Sequence, residues 1–123
     1  MLALIFYKIS FGLGNKIIKE QSLGRKKLVA FCSVANPQRF FDQLKGLSVV
    51  DRLTFPDHYA YSSEEMQCLL SNAKALGATL ITTEKDIVKF SAAHQKQIVC
   101  VRILFLLPKV AQQKIKQALG TLA

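Results

Sequence analysis

What this sequence lacks narrows its chemistry before any motif is read. Its 123 residues include only two histidines, His58 and His94, and three cysteines. Cys32, Cys68 and Cys100 are widely spaced and form no Cys-x-x-Cys pair, so neither a zinc site nor a dithiol redox centre is supported. Their apolar settings fit buried free thiols in a reducing compartment. Phosphate-binding loops are missing as well. No Gly-x-x-x-x-Gly-Lys-Ser/Thr occurs, and "GLGNK" does not satisfy it. There is no Gly-x-Gly-x-x-Gly, no Gly-x-Ser-x-Gly and no metal-ligand cluster, so the chain alone offers no recognisable way to hold ATP. The apolar start, "MLALIFYKISFGLG", has no basic region ahead of it, is interrupted by Lys8 and shows no cleavage site. It therefore reads as a strand or a short membrane-facing patch rather than a signal peptide or a spanning helix.

Acidic residues are scarce. Eight Asp and Glu face seventeen Lys and Arg, giving a net charge of +9. That balance admits nucleic acid, an anionic membrane surface or phosphorylated small molecules as partners, or simply a solvated surface. Arg25-Lys26-Lys27, Lys16 and Lys19 are the main basic cluster. No ordered aromatic-and-basic motif points to nucleic acid. Half the residues are hydrophobic and a fifth charged, the balance of one modest folded domain.

Hydrophobic patterning alternates strands with helices. Residues 3 to 11 read as a strand broken by Gly12, Gly14 and Asn15, and residues 16 to 27 as a basic connector. "LVAFCSV" is a continuous apolar run suited to a strand buried on both faces. Asn36 and Pro37 then open a helix bearing Phe40, Phe41 and Leu44, which Gly46 ends. Residues 47 to 55 read as a strand stopped by Pro56. Ser62 and Glu65 have capping-box spacing ahead of a helix with Met66, Leu69, Leu70, Ala73 and Leu76 on one face. Residues 79 to 83 form a strand, Thr83 caps a brief helix, and residues 98 to 106 form another strand. A last helix opens at Pro108 and carries Ala111, Ile115, Ala118 and Leu119. The order predicts an α/β fold: a mostly parallel sheet with flanking helices, of the three-layer sandwich type.

In such sheets ligands bind outside the carboxyl ends of the strands. Two loops there carry polar residues. In "TTEKD", Lys85 and a helix N-terminus could meet a phosphate, or Glu84 and Asp86 could simply favour the first turn of a capped helix. In "FPDHY", Asp57 could orient His58 for general-base work, or the histidine could be structural or merely exposed. His94, in a polar segment, reads as surface.

Taken together, "LVAFCSVANPQRFFDQLK", "FPDHYAYSSEEM" and "LITTEKDIVKF" resemble, in order and spacing, the C-terminal part of the tetraacyldisaccharide 4'-kinases, the lipid A 4'-kinases of Gram-negative bacteria. The resemblance covers about residues 25 to 107. It implies ATP-dependent phosphorylation of the 4'-hydroxyl of a lipid A disaccharide precursor, with Mg2+, at the cytoplasmic face of the inner membrane as a peripheral protein. It implies two domains in the parent enzyme, with ATP and Mg2+ held mainly by an N-terminal P-loop domain. Residues 1–24 then read as an interdomain-like strand and basic connector, and residues 25–123 as the C-terminal α/β domain. His58 matches the family's catalytic histidine, which works with an aspartate of the P-loop domain. Asp57 matches the motif aspartate and is expected to position the loop. Thr83, Glu84, Lys85 and Asp86 match a second signature whose role the resemblance leaves open. Ser33 stands where the family has glycine. The chain is expected to be a fragment that is inactive without a separately encoded P-loop half. The alternatives are a standalone basic module for anionic lipid or nucleic acid, or a non-functional gene remnant.

Overall fold

The computed structural model describes residues 6–106, with side chains described for residues 10–102. Eleven elements follow in order: β1 (Phe6–Leu13), β2 (Lys16–Ile18), α1 (Glu20–Leu23), β3 (Lys27–Cys32), α2 (Pro37–Asp42), β4 (Ser48–Thr54), α3 (Ser63–Ala75), β5 (Ala78–Thr83), α4 (Glu84–Ile87), α5 (Ala92–Gln95) and β6 (Ile98–Leu106). Residues 10–102 form one compact unit. The strand ends 6–9 and 103–106 belong to a second unit and are described in their backbone only.

The six strands lie in the order β2-β1-β6-β5-β3-β4. β3 runs parallel to both β4 and β5, and β5 parallel to β6. The expected α/β sheet with flanking helices is present, and the sheet is mixed because β1 and β2 pair antiparallel. That hairpin corrects the basic connector expected over 16–27. Gly14 takes φ +60 in a two-residue loop, so the residues expected to end the strand instead turn it back on itself. The expected final helix from Pro108 and residues 3–5 of the first expected strand lie outside the described residues.

β3 sits between two strands, and residues 28 to 32 are all buried, as its unbroken apolar run requires. Phe31 is fully buried and meets Tyr61 and Phe90 edge-on at 5.7 and 5.6 Å. Burying such a ring contributes roughly 2–3 kcal/mol. β4 is an edge strand and is largely exposed. α3 begins with a complete capping box: the Glu65 amide donates to Ser62 Oγ (3.1 Å) and the Ser62 amide donates to Glu65 Oε1 (3.0 Å). Leu69 and Ala73 are its buried residues. Cys68, one step off that stripe, is exposed, which corrects the expectation that all three cysteines are buried. α2 ends at Asp42, and i→i+3 bonds carry its tail onward to Gly46 at φ +91.

Candidate active site

The carboxyl ends of β3, β4 and β5 bring three loops together: residues 33–36, 55–62 and 83–86. Backbone bonds seat the middle loop. The Phe55 amide donates to the Cys32 carbonyl (2.9 Å), and the His58 amide to the Ser33 carbonyl (3.2 Å). An aromatic cluster lies beneath, with Tyr61 5.0 Å from Phe55, 5.3 Å from Tyr59 and 5.4 Å from Phe90.

The inner layer centres on Asp86, which is fully buried. Its Oδ2 accepts from the Ser33 amide (3.0 Å) and Thr83 Oγ1 (2.8 Å). Its Oδ1 accepts from Ser33 Oγ, from the Tyr61 hydroxyl (3.1 Å) and, more distantly, from Lys89 Nζ (3.4 Å). Burial by itself raises the Asp86 carboxyl. The donors from Ser33, Thr83 and Tyr61 outweigh that and hold it below the usual aspartate value. Burial, together with the neighbouring carboxylate, pushes the Tyr61 phenol up. Burial likewise pushes the Cys32 thiol up to about 11, so Cys32 stays protonated and is no nucleophile. Lys89 donates to Ser33 Oγ (2.9 Å) and the Tyr59 carbonyl (2.8 Å), with its ammonium 5.4 Å from the centre of the Tyr61 ring.

The outer layer is Asp57, His58 and Lys85. Lys85 Nζ donates to Asp57 Oδ1 at 2.9 Å, and this bond is the main reason the exposed Asp57 carboxyl sits below its ordinary value. His58 Nε2 lies 3.7 Å from Asp57 Oδ2, too far for a hydrogen bond, and its side chain is 78% exposed. Among the described residues His58 is the only non-glycine with positive φ, at 61°. A side chain in that conformation is held at a cost, and such residues concentrate at functional sites.

The sequence-predicted residues thus divide. Thr83 caps α4 and joins Asp86 inside, Lys85 joins Asp57 outside, and Glu84 is exposed in the first turn of α4. Asp86 corrects the reading of a carboxylate serving only the helix dipole: its distant partners, Ser33 and Tyr61, lie in the 33–36 and 55–62 loops. Ser33, expected to depart from a family glycine, keeps a negative φ and spends its hydroxyl in the network. Tyr61 and Lys89 were not anticipated. Lys89 follows Asp86 by three positions across a helical turn, a spacing that makes the pair readable in retrospect. His94 corrects its surface reading. It is half-buried in α5, and its Nδ1 is buried without a hydrogen-bond partner among the described residues.

Among relatives, residues 9–120 match the family described as tetraacyldisaccharide-1-P 4'-kinase. The chain is 39% identical over 111 residues to the tetraacyldisaccharide 4'-kinase of Rickettsia bellii, covering 82% of this chain and 34% of that protein. It is 40% identical over 97 residues to that of Rickettsia akari, covering 72% of this chain and 30% of the relative. The chain therefore spans about a third of the length of these curated relatives. A crystal structure of the "apo" form of LpxK from Aquifex aeolicus in complex with ATP shares the fold. Its TM-score is 0.62 at 21% identity, covering 95% of this chain and 35% of that one.

Proposed function

Because this chain belongs to the tetraacyldisaccharide-1-P 4'-kinase family, we propose that it is the C-terminal part of a kinase that phosphorylates the 4'-hydroxyl of a tetraacyldisaccharide 1-phosphate in lipid A synthesis. The observation that carries this reading is His58: exposed, left-handed and seated at the carboxyl edge of the parallel strands, inside the matched region. In the proposed step the His58 imidazole accepts the 4'-hydroxyl proton as that oxygen bonds the γ-phosphorus. The bond from the γ-phosphorus to the bridging oxygen breaks, and its electron pair leaves with ADP. An aspartate of the P-loop domain supports the imidazole. Asp57, engaged by Lys85, holds the loop.

The described residues do not fit Mg2+. Asp86 has its oxygens filled by protein donors, and no group of three or more His, Cys, Asp or Glu among the described residues could hold a metal. This reading assigns ATP and Mg2+ to the P-loop half, and the isolated chain then transfers no phosphate. Combining the chain with a P-loop half and measuring transfer of labelled γ-phosphate to the disaccharide tests it. Transfer that requires both halves is expected, whereas no transfer from a soluble pair contradicts the reading.

One observation favours contact with an anionic membrane. Ile17 is 77% exposed beside the exposed Lys16 on β2. None of the described helices is long and apolar enough to cross a membrane. The exposed pair supports peripheral contact with an anionic membrane surface, which this proposal takes to be the cytoplasmic face of the inner membrane. Salt-sensitive sedimentation of the chain with anionic vesicles is expected, and equal sedimentation with neutral vesicles contradicts it. The rival reading, a standalone basic binding module, predicts the same sedimentation without any transfer by the combined halves.

A further inference from the structure

We propose that Lys89 is the positioning residue of this site: its ammonium, anchored on Asp86 and Ser33, clamps the Tyr59 carbonyl and so fixes the left-handed turn that presents His58. This rests on His58 being the acting group. Three observations lead to it. First, all three ammonium protons have acceptors: Ser33 Oγ at 2.9 Å, the Tyr59 carbonyl at 2.8 Å and, more weakly, Asp86 Oδ1 at 3.4 Å. A lysine so occupied, with its side chain only 24% exposed, is not offered to a phosphate. Second, Asp86 already has donors from Ser33, Thr83 and Tyr61. What Lys89 adds beyond the Asp86 network is the bond to Tyr59, the residue that follows His58. Third, the backbone on both sides of the His58 side chain is tied down. Its own amide donates to the Ser33 carbonyl (3.2 Å), and the Tyr59 amide closes the turn onto the Pro56 carbonyl (3.0 Å). A β-carbon at φ 61° is sterically disfavoured and persists only where the surroundings over-determine it. Lys89 supplies the tether on the far side of the turn.

The test uses Lys89→Met, which keeps the stem and removes the donors, and Lys89→Gln as a milder variant that tolerates any loss of folding in the first. Amide hydrogen exchange at His58 and Tyr59 is read in the labelled chain, and kcat and KM are read with the P-loop half added. Exchange at these two amides is expected to accelerate at least tenfold while β3 and β5 stay protected. kcat is expected to fall on the order of 10- to 100-fold with KM unchanged, and Lys89→Arg to restore most of it. Wild-type exchange at His58 in a folded Lys89→Gln protein overturns the proposal, whatever the rate, because a lowered rate then means that Lys89 acts elsewhere. Accelerated exchange with an unchanged rate is resolved by His58→Ala. If that variant loses activity, the positioning role is wrong. If it keeps activity, the reading of His58 is wrong and the clamp stands only as a structural tether.

Discussion

The inner and outer layers of the same three loops treat similar residues in opposite ways. Inside, Asp86 is out of water and meets donors from two other loops as well as from Thr83 and Lys89 beside it, so its charge is compensated and its position fixed. Outside, Asp57 meets one lysine at the surface, and His58 has no side-chain bond to Asp57 at all. A saturated carboxylate holds structure and has nothing left to offer a substrate. An exposed imidazole on a turn locked from beneath is free to meet one. In the proposed reading the layers divide the labour of a single site: rigidity is concentrated away from the residue assigned the chemistry.

That contrast is sharpest at the two aspartates. Asp86→Ala leaves Lys89, Ser33 and Tyr61 facing an empty buried site, and is expected to cost about 3 kcal/mol in urea unfolding. Asp57→Ala, at the surface, should leave the unfolding midpoint unchanged. Equal costs would erase the distinction between layers. The pH dependence follows from the same source. Because the Asp86 carboxyl is held below its ordinary value, its contribution is fully present above about pH 4. It fades as pH falls through the lowered value, where the folded protein must take up a proton. Asp86→Asn should flatten this acid limb of the stability profile.

Smaller effects probe the supports. Tyr61→Phe removes one donor from Asp86, and Ser62→Ala opens the capping box of α3. Each is expected to cost about 1 kcal/mol by thermal unfolding. Smallest, and opposite in sign, is His58→Gly. It relieves the left-handed strain and should stabilise the chain by roughly 0.5 kcal/mol, net of the entropy glycine brings to the unfolded state. Stabilisation there would mark His58 as kept against the interest of the fold.

Much of this was legible in the residues because it is local. Asn36, Ser62 and Thr83 announce their helices by capping spacing, and each accepts the expected amide. The unbroken run at β3 gives away its central place. What escaped depends on distance or on short elements. β2 has three residues, too few for a pattern, and its two-residue turn looks like a plain break. α5 has four, so His94 looked exposed. Ser33 and Asp86 are 53 positions apart, and their bond exists only because β3 and β5 are neighbours with loops at the same end. Sequence placed both residues at strand ends, but pairing them required the register.

The most direct measurement is kcat for phosphate transfer to the tetraacyldisaccharide by this chain combined with a P-loop half, wild type against His58→Ala. A fall on the order of 100-fold or more is expected, with β3 and β5 amides as protected as in the wild type. A His58→Ala protein that transfers phosphate at the wild-type rate would contradict the account.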